Sequence, residues 1–199
     1  MKRIFDTIIS LLALILLIPL FLFLIIWIII DSHGGFFYVQ KRVGKSGKDF
    51  GLLKFRTMYT GSDSKGLLTV GMEDPRITKP GKILRKYKMD ELPQLLNVIA
   101  GQMSIVGPRP EVRKYVELYN DDQKKVLEVR PGLTDYASLM YMNENEILGS
   151  SPDPEYAYIH EIMPAKLELN LKYIREKSFT TDLRIIIKTI RGIISSKPD

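Results

Sequence analysis

Two adjacent carboxylates, Asp90 and Glu91, are followed at once by Leu92-Pro93. Behind them Leu92, Leu95, Leu96 and Ile99 recur at helical spacing. Proline is tolerated only in the first turn of a helix, so the two acids stand at its N-terminal end. The helix dipole accounts for one acid there. Two acids beside several Arg and Lys allow a different chemistry. A helix start offers free amides to a phosphate, one carboxylate can attack phosphorus, and its neighbour can hold Mg2+. Spacing leaves capping and catalysis both open. Three cationic stretches could serve the same phosphate. Gly107-Pro108-Arg109-Pro110 holds a guanidinium between prolines, a form suited to bidentate phosphate binding. Lys54-Phe55-Arg56 places two cations on one face of a strand, with Phe55 opposite. Arg130-Pro131-Gly132-Leu133-Thr134 is a turn with a cation and free amides. Each also reads as an ordinary solvated turn or face. Gly44-Lys45-Ser46 is no phosphate-binding P-loop, because Val39 stands where that motif needs glycine.

The elements that must position these residues begin with an apolar segment. Residues 7–30 carry no charge, and as a helix they extend roughly 36 Å. A hydrocarbon core is about 30 Å thick. The segment is too long for a signal peptide and no small-residue cleavage site follows it, so it reads as a retained anchor. Lys2 and Arg3 precede it; Lys41, Arg42, Lys45 and Lys48 follow. Both flanks thus favour the cytoplasmic side. With Pro19 mid-segment, a kinked spanning helix and a helix that breaks and returns are both open. The chain has 199 residues and a net charge of +6, all of it on residues 32–199. A basic domain beside a membrane seeks acidic lipid or phosphate. There is no cysteine, and the two histidines, His33 and His160, are far apart, which excludes disulfides, thiolate metal sites and a zinc cluster.

The rest reads as α+β and mainly helical. Residues 36–40 and 50–58 predict a β-hairpin around a basic turn. Residues 60–80 predict a long loop, 81–87 a short helix, and Gly101 the end of the helix behind Asp90-Glu91. Helix is expected over 110–129, broken near Asn120, and over 164–176, with 143–154 as loop. Thr180 or Thr181 is expected to cap a last helix. Its apolar positions are Leu183, Ile186, Ile187, Ile190 and Ile194; Arg184, Lys188 and Arg191 lie on another face. Such a helix suits a membrane surface or the core equally.

These stretches resemble, in order, the bacterial sugar transferases, the small monotopic phosphoglycosyl transferases. The matching residues are Gln40-Lys41-Arg42-Val43-Gly44, Lys54-Phe55-Arg56-Thr57-Met58, Asp74-Pro75-Arg76-Ile77-Thr78, Asp90-Glu91-Leu92-Pro93-Gln94-Leu95, Met103-Ser104-Ile105-Val106-Gly107-Pro108-Arg109-Pro110 and Arg130-Pro131-Gly132-Leu133-Thr134. The resemblance covers nearly the whole chain. It implies transfer of a phosphosugar from a UDP-sugar to a polyprenol phosphate such as undecaprenyl phosphate. The products would be polyprenyl diphosphate sugar and UMP, in the first membrane step of polysaccharide or glycoconjugate assembly. It implies Asp90 as the nucleophile of a covalent intermediate and Glu91 as the Mg2+ ligand. Arg109, Arg85 and Arg56 would bind anionic groups, with Pro131, Gly132 and Thr134 near the nucleotide. It implies a re-entrant helix over residues 1–31, broken at Pro19, and a catalytic domain over 32–199 on the cytoplasmic face of the bacterial inner membrane. Its partners would be UDP-sugar, polyprenol phosphate and membrane lipid, with no nucleic acid. Three positions depart from the family pattern: Ile18 replaces a serine before the proline, Gln102 an aspartate and Asp135 a glycine. The competing readings are a membrane-bound glycosyltransferase that releases UDP and a basic, non-catalytic membrane adaptor.

Overall fold

The computed structural model describes residues 1–62, 74–141 and 144–195. Part of the expected 60–80 loop and the side chain of Ile194 lie outside the described residues. The apolar segment forms one helix, α1, Lys2–Asp31. It runs through Pro19 without interruption, so the expected helix-break-helix is not seen as two helices. Leucine, isoleucine and phenylalanine carry the helix on both sides of the proline, although its ring removes one hydrogen bond and crowds the Ile15 carbonyl. Most of α1 faces outward; Leu16 is 80% exposed and Ile30 79%.

Both ends of α1 are fastened to the rest of the chain. At the start, Lys2 pairs with Asp182. The Arg3 guanidinium donates to the carbonyls of Val98 and Ile99, and Ser104 Oγ donates to Asp6 at 2.6 Å. At the finish, Leu24 and Ile28 pack with Phe55 and Leu84. Arg56 there donates to the carbonyls of Ile28 (3.2 Å), Ser32 (2.7 Å) and His33.

Strands β1, Phe37–Val43, and β2, Asp49–Phe55, form the expected antiparallel hairpin, with Phe37 opposite Phe55. Helix α2, Lys79–Lys86, is capped by Thr78, whose hydroxyl accepts from the Gly81 amide. After the 3-10 turn Met89–Glu91 comes α3, Gln94–Ile99. The chain leaves α3 through Gly101 at φ +84°, the left-handed conformation expected of a glycine there.

A second strand pair was not expected. Strand β3, Ser104–Val106, runs parallel to β4, Gly132–Thr134, where the sequence suggested only a turn. The intervening stretch holds α4, Arg113–Val116, and a 3-10 turn at Gln123–Glu128. The expected helix over 110–129 is thus split on either side of Asn120. Helices α5, Tyr136–Met140, α6, Glu144–Gly149, and α7, Pro154–Ala157, follow. A π-turn at Tyr158–Ile162 leads into α8, Met163–Glu176, and then α9, Phe179–Ser195. Helix α6 replaces the expected loop because Leu148 is drawn into the core with Tyr158 and Leu167. Ser178, not Thr180 or Thr181, caps α9: its Oγ accepts from the Thr181 amide at 3.1 Å.

Three apolar clusters hold the fold. One joins the hairpin end, α4 and α8 through Val43, Tyr115 and Leu167. A second joins β2, α3, β3 and α9 through Leu52, Val98, Val106 and Ile185. The third is the contact with α1.

Candidate active site

The acidic pair lies on the 3-10 turn before α3, entered through Lys88 at φ 55°. It opens on a cleft of about 740 Å3. Lys54, Arg85, Asp90, Glu91 and Arg109 all line it. Four separate stretches of sequence thus meet at one wall.

Each cation is placed by an identifiable device. Lys54 rides on β2, which Asn97 ties to α3. The Asn97 Oδ1 accepts from the Leu53 amide at 3.0 Å, and its Nδ2 donates to the Gly51 carbonyl at 2.8 Å. Arg85 projects from α2, and its Nε donates to Thr57 Oγ1 at 2.9 Å. Arg109 is held through its backbone. Its amide donates to the carboxylate of Asp135 at 3.0 Å, and Asp135 is fully buried as the cap of α5. On the far side, Arg42 donates to the Pro110 carbonyl at 3.1 Å and to Glu111 at 2.9 Å. Beneath Arg109, β3 and β4 touch backbone to backbone. A Cβ on Gly132 would lie 2.1 Å from the Gly107 nitrogen, so only glycine permits this crossing.

The two acids are treated differently. Glu91 is clamped: Arg109 grips both its oxygens, one at 3.0 Å, and Lys54 Nζ stands 3.6 Å away. Burial pushes the Glu91 carboxyl up, but Arg109 and Lys54 outweigh it and hold it well below the usual range. Glu91 in turn raises Arg109 above an ordinary arginine. Asp90 is 8% exposed and makes no hydrogen bond among the described residues. Burial raises its pKa, against the pull of Lys54 and Arg85. Burial also lowers the pKa of Lys54 and of Arg85. The wall therefore offers one free carboxylate and one neutralised carboxylate among three cations. That arrangement suits a phosphate and a nucleophile.

Not every expected site residue stands in this wall in the same way. Arg56 touches the cleft, but it is 7% exposed and its donors go to the last carbonyls of α1. It acts there as a C-terminal cap of the apolar helix. Pro131 and Gly132 lie behind the Arg109 loop: the Pro131 carbonyl accepts from the Ser104 amide at 2.8 Å, and the Gly132 amide donates to the Pro108 carbonyl at 2.9 Å. Thr134 does line the cleft, sharing a 2.6 Å hydrogen bond with Thr189 of α9. Asp135 is structural here, fixing Arg109 and α5. Sequence reasoning missed Asn97, whose position on α3 carries no local signal. Lys54 was visible in its strand pattern, as a cation on the Arg56 face.

A carboxylate pair ringed by cations, beside an exposed apolar helix, is an arrangement that can hold a phosphate next to an apolar surface. The family model described as bacterial sugar transferase matches residues 1–196. The chain belongs to the bacterial sugar transferase family. It is 37% identical to the exopolysaccharide production protein ExoY of Sinorhizobium fredii, over 98% of this chain and 86% of that protein. It is 32% identical to a UDP-glucose:undecaprenyl-phosphate glucose-1-phosphate transferase of Caulobacter vibrioides, over 98% of this chain and 70% of that protein. It is 34% identical to a UDP-N-acetylgalactosamine-undecaprenyl-phosphate N-acetylgalactosaminephosphotransferase of Aeromonas hydrophila, over 98% of this chain and 44% of that protein.

Proposed function

We propose that this chain transfers a sugar phosphate from a UDP-sugar to a polyprenol phosphate, undecaprenyl phosphate in kind, and releases UMP. The family membership and the named activities of the relatives support the reaction class. The observation that carries the mechanism is the contrast between the free Asp90 and the clamped Glu91. An Asp90 oxygen attacks the phosphorus that bears the sugar. The bond from that phosphorus to the bridging oxygen breaks, and UMP leaves with the electron pair. The polyprenol phosphate oxygen then attacks the same phosphorus, and the Asp90 carboxylate departs unchanged. Arg109, Arg85 and Lys54 neutralise charge on the passing phosphates and position them. Two displacements let the soluble donor and the lipid acceptor take turns in one cleft.

The donor set fits Mg2+. Glu91 is a hard oxygen ligand, but Arg109 holds both its oxygens, so it could take the ion only by giving up part of that contact. Mg2+ commonly takes one or two protein carboxylates and completes its shell with substrate phosphates and water. Glu91 would hold it. When bound it supplies charge neutralisation and polarises the leaving oxygen.

The protein is read as membrane-associated, with its catalytic side and both ends of α1 on the cytoplasmic face. Helix α1 is the one helix among the described residues long and apolar enough to cross a membrane. A spanning helix puts its ends on opposite sides of a core about 30 Å thick. Here Arg3 holds α3 at one end and Arg56, just after β2, holds the other, within the same chain of contacts. That favours an arrangement with both ends of α1 on one side of the membrane. On α9, Phe179, Leu183, Ile187 and Ile190 are exposed, with Arg184, Lys188 and Arg191 in the same helix, as suits a headgroup layer.

The test is product identity. Purified protein is incubated with Mg2+, undecaprenyl phosphate and a panel of UDP-sugars, alongside Asp90→Asn. UMP release that the variant loses supports the reading. UDP release, or UMP release that the variant keeps, overturns it.

A further inference from the structure

The cleft extends beyond the phosphate-binding wall. Its other arm is built by α5, α6, the π-turn and α8. Glu144 of α6 acts electrostatically on Arg109, so this arm opens beside the phosphate site. Lys166 of α8 crosses it, 2.7 Å from Glu144 and 5.4 Å above the centre of the Tyr158 ring. One turn along α8, on the same face, is Asn170. It lines the cleft, is 4% exposed, and its Oδ1 has no hydrogen-bond partner. On α5, which packs against α8, Ser138 also lines the cleft, and its buried Oγ has no partner either. Buried polar atoms are nearly always bonded. On facing helices of one cavity wall, these two atoms are placed where a ligand's hydroxyls can bond them.

The double displacement proposed above says which part of the donor this is, and this inference rests on it. In phosphoryl transfer the entering and leaving oxygens lie in line. UMP leaves from the side opposite Asp90, and the lipid phosphate must attack from that same side. Nucleotide and lipid therefore share one position in turn. The sugar stays on the phosphorus through both steps, off that axis, and must be held by groups that serve neither of the others. An arm of the cleft next to Arg109 meets that need. We propose that Asn170 and Ser138 form the sugar-recognition subsite, with Asn170 Oδ1 accepting a hydrogen bond from the hexose and Ser138 Oγ bonding a neighbouring hydroxyl. A site that hydrogen-bonds a particular hydroxyl rejects analogues that lack it, since its own polar atoms are then stranded.

The test uses the full chain in detergent micelles with Asn170→Leu, Asn170→Asp and Ser138→Ala. UMP release is measured with UDP-sugars that differ at single hydroxyls, together with inhibition by UMP and the melting temperature. Asn170→Leu and Ser138→Ala are each expected to raise KM for the preferred sugar about 3- to 10-fold, the effect of losing one neutral hydrogen bond. Both flatten the preference among epimers and leave UMP inhibition unchanged. Asn170→Asp, which keeps the acceptor and the shape, keeps the preference. Weaker UMP inhibition in parallel with the higher KM would place the nucleoside here and overturn the proposal. So would an unaltered preference, whatever the melting temperature does. A wild-type protein that releases no UMP from any donor defeats the transferase reading first, and the subsite with it.

Discussion

The two neighbouring acids should respond to loss of charge with opposite signs. Burial raises the pKa of Asp90, so its ionised form is disfavoured in the folded protein. Each pK unit of such a shift corresponds to about 1.4 kcal/mol. The sign follows from linkage: a carboxyl with a raised folded pKa favours folding when protonated, and that advantage is lost as pH rises through its folded pKa. At neutral pH, Asp90→Asn removes an unpaired buried charge and no hydrogen bond. It is expected to leave the melting temperature unchanged or higher while abolishing UMP release. Glu91 is the reverse case. Its folded pKa is lowered, so its charge stabilises the fold above its unfolded pKa, and that stability is lost as pH falls through the lower folded value. Glu91→Gln breaks a charge-assisted bidentate contact with Arg109, which costs about 1.5–3 kcal/mol. In a domain of this size about 2–4 °C accompanies each kcal/mol. Glu91→Gln should thus melt roughly 3–12 °C lower. The assay is thermal unfolding in micelles with EDTA and no substrate, so that neither Mg2+ nor phosphate screens the pair. A large drop in the Asp90→Asn melting temperature would show that Asp90 holds structure and would sink the nucleophile argument.

Three further outcomes check the placement of the cations and the helix. Arg109→Ala should lower kcat/KM for UMP release by at least the about 1.5–3 kcal/mol of a charge-assisted phosphate contact; a near wild-type rate at low donor concentration would count against Arg109 as a phosphate ligand. Arg56→Met should destabilise the protein by about 1.5–3 kcal/mol, because carbonyls at the end of α1 lose their charged donor, while KM for the donor changes little. A large KM change at constant stability would return Arg56 to the substrate. The chain has no cysteine, so Lys2→Cys and Lys45→Cys can each be labelled by an impermeant thiol reagent in inverted and right-side-out vesicles. Both should react from the cytoplasmic side; reaction from opposite sides would establish a spanning helix.

Sequence reading located what depends on local chemistry. The hairpin, α2, the Gly101 exit and α8 follow from periodicity, turn residues and caps, and the structure has them. Asp90, Glu91 and Arg109 could be named because they sit in short stretches of unusual composition; Arg85 came only with the family resemblance. What remained hidden depends on partners distant in the chain. The strand pair β3–β4 needs two three-residue segments that meet only because Gly107 and Gly132 allow backbone contact. Helix α6 forms in a polar stretch because one residue, Leu148, is buried by the tertiary fold and Lys166 pairs with Glu144 at its start. Arg56 lies on the cationic face its strand position implied, yet the carbonyls of α1, 24 to 28 residues earlier, claim its donors. Asp135 looked like a departure near the substrate. Only the fold shows it capping α5 and gripping the Arg109 amide.

The same turn explains why adjacency in sequence does not mean a shared role. A 3-10 turn has about three residues per turn, so successive side chains point about 120° apart. Asp90 and Glu91 are therefore sent to different neighbours by the backbone itself. Glu91 meets the rigid Arg109 loop and the hairpin lysine, and it is fixed by both. Asp90 feels Lys54 and Arg85 only through their charge and forms no hydrogen bond with either among the described residues. Had the pair lain in the middle of a long helix, solvent and neighbouring turns would have supplied partners to both. On this short turn, one carboxylate pins Arg109 while its neighbour is left without a hydrogen bond, as the proposed attack on phosphorus requires. The single charge-removing variants separate the two roles: Asp90→Asn is expected to keep the Glu91–Arg109 contact and lose UMP release, whereas Glu91→Gln is expected to weaken that contact. Wild-type UMP release by Asp90→Asn would refute the assignment of separate roles to the two positions.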